Sequence, residues 1–356
     1  MNIAPERLDN LIRLGYTPEE ARFLYIVAIH SGYFSHRQFL DFSGTKPGKH
    51  SQKFLAKLLA HKHATFHTYQ SGGRVYHIFS RRVFNAIGRD DLRTRRKHEL
   101  DYVKTRMVTL DFILSNLHCE YLETEAEKVP FFESRLKLSR TLLPPRIYSS
   151  KVSAKQTVRY FVDRFPLFVK NRSGASPVVV FTYIDAASAT LQGFLTHLQA
   201  YRGLLRSLPQ FEFIYVAPTD RFFNAAESEF SRTVLGRVPI PSSEQLLRYF
   251  QVRKRWEAGE RVAAVDVVLL NGAKNERTDK SIESQYSQWL AGRIKDADIC
   301  CFVPQPELRI DGRFSTRKCG DSLSVFYKSG DGRSESDAEI PSEGFSRTFS
   351  PEVSPQ

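Results

Sequence analysis

Lys49-His50-Ser51-Gln52-Lys53-Phe54-Leu55-Ala56-Lys57-Leu58-Leu59 is followed by Ala64-Thr65-Phe66-His67-Thr68-Tyr69, by Gln70-Ser71-Gly72-Gly73, and by Arg74-Val75-Tyr76-His77-Ile78-Phe79. In the first run Phe54, Leu55, Leu58 and Leu59 fall at i, i+1, i+4 and i+5. That spacing lays one apolar stripe along a helix over 49–62 and leaves Lys49, His50, Gln52, Lys53 and Lys57 on its other faces. The two later runs have β character, and the Gly-Gly turn between them predicts a hairpin. Working back, Thr17-Pro18-Glu19-Glu20 has the form of a helix start, with Thr as cap, Pro at the first position and Glu at the third. Ser31-Gly32 ends that helix. Ser35 caps a shorter one that turns Phe39, Leu40 and Phe42 inward and stops at Ser43-Gly44. Working forward, Ser80 caps a helix over 81–87. Three helices and then a hairpin predict a winged helix-turn-helix over 1–98, with the third helix for recognition and 70–74 as the wing tip.

Charge agrees with that reading. Between Arg22 and Lys97 stand fifteen basic residues against three acids, Asp41, Asp90 and Asp91, an excess of twelve in a chain of formal charge +13. A charge field confined to one segment is the footprint of a polyphosphate partner, and the sequence predicts duplex DNA. Lys46, Lys49, Lys53, Lys57, Arg81, Arg82, Arg93, Arg95 and Arg96 are the expected phosphate contacts. His50 and Gln52 stand where a recognition helix meets base edges, and Arg74 where a wing enters a minor groove. The run 89–97 reads as a hinge or phosphate-contacting arm. The competing reading of each single residue is a solvated surface charge.

Beyond it, Leu100, Val103, Met107, Leu110, Leu114 and Leu117 repeat at 3, 4, 3, 4 and 3 residues. This is a heptad-like seam, suited either to a homodimer or to burial in a monomer core. Residues 99–150 are accordingly expected to form a helical connector, 151–328 an α/β domain, and 329–356 a disordered tail rich in Ser, Gly, Pro and Glu. The fold class is thus α+β and multidomain. Strands are expected at 158–162, 167–170, 178–184, 211–217, 265–270 and 299–303, and helices at 189–208, 222–235 and 244–256.

Catalytic signals are weak. Asp163 and Asp185, each near the end of an expected strand, suggest the two acidic ligands of a metal-dependent nuclease. Asp185 is followed by Ala186-Ala187, however, and no lysine occurs between Lys170 and Lys254. No phosphate-binding loop, nucleophile elbow or His-Glu-x-x-His occurs. Cys119, Cys300, Cys301 and Cys319 include no Cys-x-x-Cys pair. Neither a cofactor nor a metal site is predicted. The chain has no stretch of about 18 apolar residues, so no membrane partner is expected, and a cytoplasmic, nucleoid- or plasmid-associated location is.

With these parts in place, the chain resembles the replication-relaxation type of winged-helix protein of bacterial plasmids and integrative mobile elements. The matching stretches begin at Gly15-Tyr16-Thr17-Pro18-Glu19-Glu20, Gly32-Tyr33-Phe34-Ser35-His36, Val103-Lys104-Thr105-Arg106, Tyr160-Phe161-Val162-Asp163-Arg164-Phe165-Pro166 and Phe194-Leu195-Thr196-His197. They spread over about 10–235. The resemblance implies DNA binding in replication, transfer or maintenance of a mobile element. With the weak catalytic signals, the expectation is a non-catalytic DNA-binding protein of replication, transfer, maintenance or transcriptional control, with a replication or transfer protein as a candidate partner. It also implies a nuclease-like core in the second half, from which Tyr183-Ile184-Asp185-Ala186-Ala187 departs by lacking the lysine. A nuclease steered by its winged helix, and an assembly factor whose α/β half binds protein, are the alternatives.

Overall fold

The computed structural model describes residues 1–327 apart from 2, 70, 91, 150–155, 164, 171–176, 187, 237–242, 264, 265, 267–269, 271–279 and 300–309. The expected tail, Cys300 and Cys301, and the strand expected at 299–303 apart from Ile299 lie outside the described residues. So does most of the strand expected at 265–270, whose described members Asp266 and Leu270 are helical.

The chain starts with α1 (Pro5–Arg13), which the sequence reading had not assigned, and α2 (Pro18–His30). Thr17 caps α2 through a reciprocal pair: its hydroxyl accepts from the Glu20 amide and Glu20 accepts from its own. Almost every residue of α2 from Glu20 onward is buried, so this helix is the axis around which the others pack. A short strand β1 (Tyr33–Ser35) leads into α3 (His36–Ser43), capped by Ser35 and closed by Gly44 in the left-handed conformation. Next come α4 (Lys49–Ala60), the hairpin β2 (Ala64–Thr68) and β3 (Arg74–Ile78), and α5 (Arg81–Ala86). The three strands form an antiparallel sheet in the order β1-β3-β2.

Helix α6 (Leu100–Leu114) settles the choice left open by the heptad-like seam. Val103, Met107, Leu110, Phe112 and Ile113 are buried within the chain, and Phe112 packs on Phe168 with ring centroids 6.3 Å apart. The residues expected at a dimer seam are therefore used inside the monomer. The helix stops before Leu117, and Leu100, at its exposed start, takes no part. The segment 99–150 also supplies β4 (Glu120–Tyr121), α7 (Glu125–Pro130) and β5 (Pro145–Ser149).

The remaining strands are β6 (Gln156–Tyr160), β7 (Leu167–Lys170), β8 (Val178–Ile184), β9 (Gln210–Ala217) and β10 (Asp311–Lys318). A five-stranded sheet runs in the order β10-β9-β8-β7-β4, parallel on the β10-β9-β8 side and antiparallel from β8 to β4. Its centre, β8, is buried along its whole length, as its continuous apolar run requires. Side chains alternate between two cores. Phe168, Val180, Ile184 and Val216 join α6 and the N-terminal helices, whereas Val179, Phe181, Phe211 and Phe213 meet α8 (Gln192–Ser207) and α9 (Phe223–Phe230). A smaller core gathers Leu246, Tyr249 and Phe250 of α10 (Ser243–Glu257) with Tyr286 of a helix Lys280–Leu290. Strand β6, expected within the α/β core, instead pairs, among the described residues, with β5 alone as a separate ribbon.

The turn Asp321–Phe326 closes the hairpin. Ser71 Oγ donates to the Val325 carbonyl, Tyr69 meets the edge of Phe326, and Arg37 pairs with Asp321 at 3.3 Å. A Cβ on Gly73 would come within 2.9 Å of the Val325 carbonyl oxygen, so only glycine fits there. Asp111 of α6 accepts from Ser322 N–H and Oγ and from Gln38 Nε2. Burial pushes the Asp111 carboxyl above its ordinary range, against those hydrogen bonds. Among the described residues no helix is long and apolar enough to cross a membrane.

Candidate nucleic-acid interface

The first half of α4 carries the clearest candidate surface. Ser51, Phe54, Leu55 and Leu58 face the core, which leaves Lys49, Gln52 and Lys53 exposed on the opposite side beside Lys46 in the preceding loop. His50 is exposed as well, with its ring over Phe39 and Nε2 3.7 Å from Glu19 Oε2. A helix start followed by lysines at i and i+4 presents donors along one flank, which suits a phosphate backbone.

Lys57 does not complete that row. Its Nζ donates to Glu20 Oε2 at 2.6 Å and to the Gly15 carbonyl at 2.9 Å, turned back toward α2. Glu20 is buried, and an isolated buried carboxylate is costly, so the cation is held where it neutralises that charge. The expectation that Lys57 faces phosphate is corrected accordingly.

The other candidates separate into groups. Arg74 is exposed at the start of β3, its guanidinium 4.8 Å above the Phe66 ring. The expected wing tip beside it is not free, since Ser71 and Gly73 are packed under Val325, and Gln70 lies outside the described residues. Arg81 and Arg82 are exposed on the first turn of α5, past the other end of β3. Arg82 is close enough to His63, just beyond the end of α4, to help burial and His61 lower the imidazole. The run 89–97 is not a loose arm. Arg89 pairs with Glu127 at 2.7 Å, and Thr94 is fully buried, donating to the Ala28 carbonyl and accepting from His77 on its own. Arg96 is exposed and Arg95 half-buried; the side chain of Arg93 lies outside the description.

The two acidic candidates are engaged by protein donors. Asp163 Oδ2 lies 3.1 Å from His197 Nδ1, and Tyr201 also bonds to it. Burial opposes ionisation of Asp163, but His197, Lys128 and Tyr201 outweigh it and hold the carboxyl below its ordinary range. Asp185 accepts from Tyr215 OH and from the Ser188 amide at 2.7 Å. Each carboxylate has its own fixed partners, and among the described residues no three His, Cys, Asp or Glu converge on a metal position. The sequence reading missed a small cavity here, lined by Lys128, His197, Tyr201 and Thr182, with His197 Nε2 buried and unpartnered. Lys128 comes from α7, so no local spacing in the sequence links it to Asp163. Cys119 and Cys319 are free thiols.

Compared with known protein families, characterised proteins and solved structures, the chain matches none.

Proposed function

We propose that residues 1–98 are a winged helix-turn-helix that binds duplex DNA, and that the chain serves replication, transfer, maintenance or transcriptional control of a mobile element without acting on DNA chemically. The observation that carries this reading is the face of α4 bearing Lys49, Gln52 and Lys53, exposed opposite its buried Phe54–Leu58 stripe within the most basic part of the chain. The order helix, strand, helix, helix, hairpin and the sheet order β1-β3-β2 support it. A replication or transfer protein as partner, and a nucleoid or plasmid location, follow from the same reading.

The test is binding of the full chain to duplex DNA over a salt series. Lys49→Glu with Lys53→Glu should weaken binding roughly tenfold or more at physiological salt and flatten the log–log salt slope by about one per lost phosphate contact. The melting temperature should not change, because both side chains are exposed. A double variant that binds as the parent does would remove α4 from the interface.

A further inference from the structure

We infer that the ribbon β5–β6 is a second duplex-DNA contact, lying along a groove. The segment 134–162 holds seven basic residues, Arg135, Lys137, Arg140, Arg146, Lys151, Lys155 and Arg159, and no acid. Acids on either side offset it in the net charge of the second half. The connection 150–155 lies outside the described residues, and the inference stands on the two strands alone.

The ribbon does nothing for either large core. Apart from the half-buried Tyr148 and Tyr160, every residue of its two strands is exposed. An isolated two-stranded ribbon is marginal in water, and this one is held at its base. There Glu125 accepts from Arg159 Nε and from the Tyr160 amide at 2.8 Å, and Phe161 stacks on Phe132. The register sets Arg146 directly opposite Arg159 and Ile147 directly opposite Val158. Because side chains alternate, one face carries the two guanidiniums with Tyr148, whose ring lies under Arg146, and the other carries the apolar pair. Like charges directly opposite each other destabilise a ribbon, and large apolar side chains at 60% and 45% exposure gain nothing from water. Glu125 offsets the charge of Arg159, and Arg146 with the exposed apolar pair is left for one occupant, a polyanion with apolar groove walls. The major groove of B-DNA admits a two-stranded ribbon, offers phosphates to the arginine face, and offers thymine methyl groups to Ile147 and Val158. An anionic protein would satisfy the arginines and not the exposed apolar pair in the same way.

The inference rests on the DNA-binding reading above, and its test separates the two. The full chain is titrated with a 40-base-pair duplex over a salt series, as parent and as Arg146→Gln with Arg159→Gln. The log–log slope should fall by about one, through Arg146, and by more if Arg159 exchanges Glu125 for phosphate, while the α4-dependent binding persists. Arg159 is tied to Glu125, so Arg146→Gln alone, at an exposed position, serves as the variant that leaves the anchor intact and should show most of that effect. In parallel, a benzophenone side chain placed at position 147 should crosslink to the duplex. An unchanged slope in both variants, with the parent still binding, overturns the ribbon contact and leaves the α4 reading standing. Crosslinking of position 147 to a second copy of the chain and not to DNA also overturns it, making the ribbon an assembly arm. A parent that binds no duplex at all overturns both.

Discussion

At the scale of single residues, His30 records what burial does to a base. Burial, then the positive charges of Arg106 and Lys128, push its imidazole down to about 3. In the unfolded chain the same group titrates near about 6.5. Between those values the unfolded state binds a proton that the folded state refuses, so stability is whole above pH 6.5 and falls as the pH drops toward 3. The contribution is about 1.4 kcal/mol for each unit, and His36, His63 and His77 are shifted the same way. Thermal melts should therefore show a lower midpoint at pH 5 than at pH 7, with a shallower decline in His30→Phe. Equal midpoints would contradict the buried neutral imidazole. Lys57 gives the complementary case. Its removal strands the Glu20 carboxylate, so Lys57→Ala should lower stability by about 1–3 kcal/mol in denaturant titration while leaving the salt slope of DNA binding unchanged. A changed slope with unchanged stability would return Lys57 to the interface.

Among the elements, α6 is where the sequence was most ambiguous. Its seam has the spacing of a coiled coil, and nothing local distinguishes a partner helix from the chain's own sheet. Its partners are the chain's own α2, β1 and α3 on one flank, where Gln38 bonds to the Met107 carbonyl, and the sheet on another, where Phe112 meets Phe168, over fifty residues away in sequence. Met107→Glu with Leu110→Glu should consequently unfold the monomer rather than split a dimer. Circular dichroism at a concentration series should show the same loss of structure at each concentration, and a folded, dissociated protein would refute the assignment. By contrast α2, α3 and the hairpin were legible because their signals are local. Thr17 and Glu20, Ser35 and Gln38, and Gly44 fix helix ends within a few residues, and the Gly-Gly turn fixes the hairpin. Strands β4, β5 and β10 were not legible. They are short or strongly polar; β4 and β10 are strands only because a distant neighbour offers them hydrogen bonds, and β5 because β6 folds back on it. The candidate site divides on the same line. The exposed lysines of α4 follow from its stripe, whereas the inward turn of Lys57 depends on α2, and the grouping of Asp163, His197 and Lys128 depends on the whole α/β half.

For the molecule as a whole, the N-terminal helices and one face of the five-stranded sheet share a single core. A fragment covering 1–118 would expose Phe112, which packs on Phe168, and should be poorly folded in near-ultraviolet circular dichroism, whereas the full chain should give one cooperative transition for both halves. Independent folding of the fragment with native melting would show the two halves to be separable. The turn Asp321–Phe326 carries this dependence furthest. Ser71 meets Val325 across 254 positions of chain, and β10 takes its place beside β9 only after some ninety intervening residues. On the ribosome, therefore, the hairpin emerges long before the residues that cover its tip. Throughout most of synthesis Tyr69, Gly73 and the flank of α6 are open to other chains and to chaperones, and the basic surface is displayed before the molecule that is to use it has been completed.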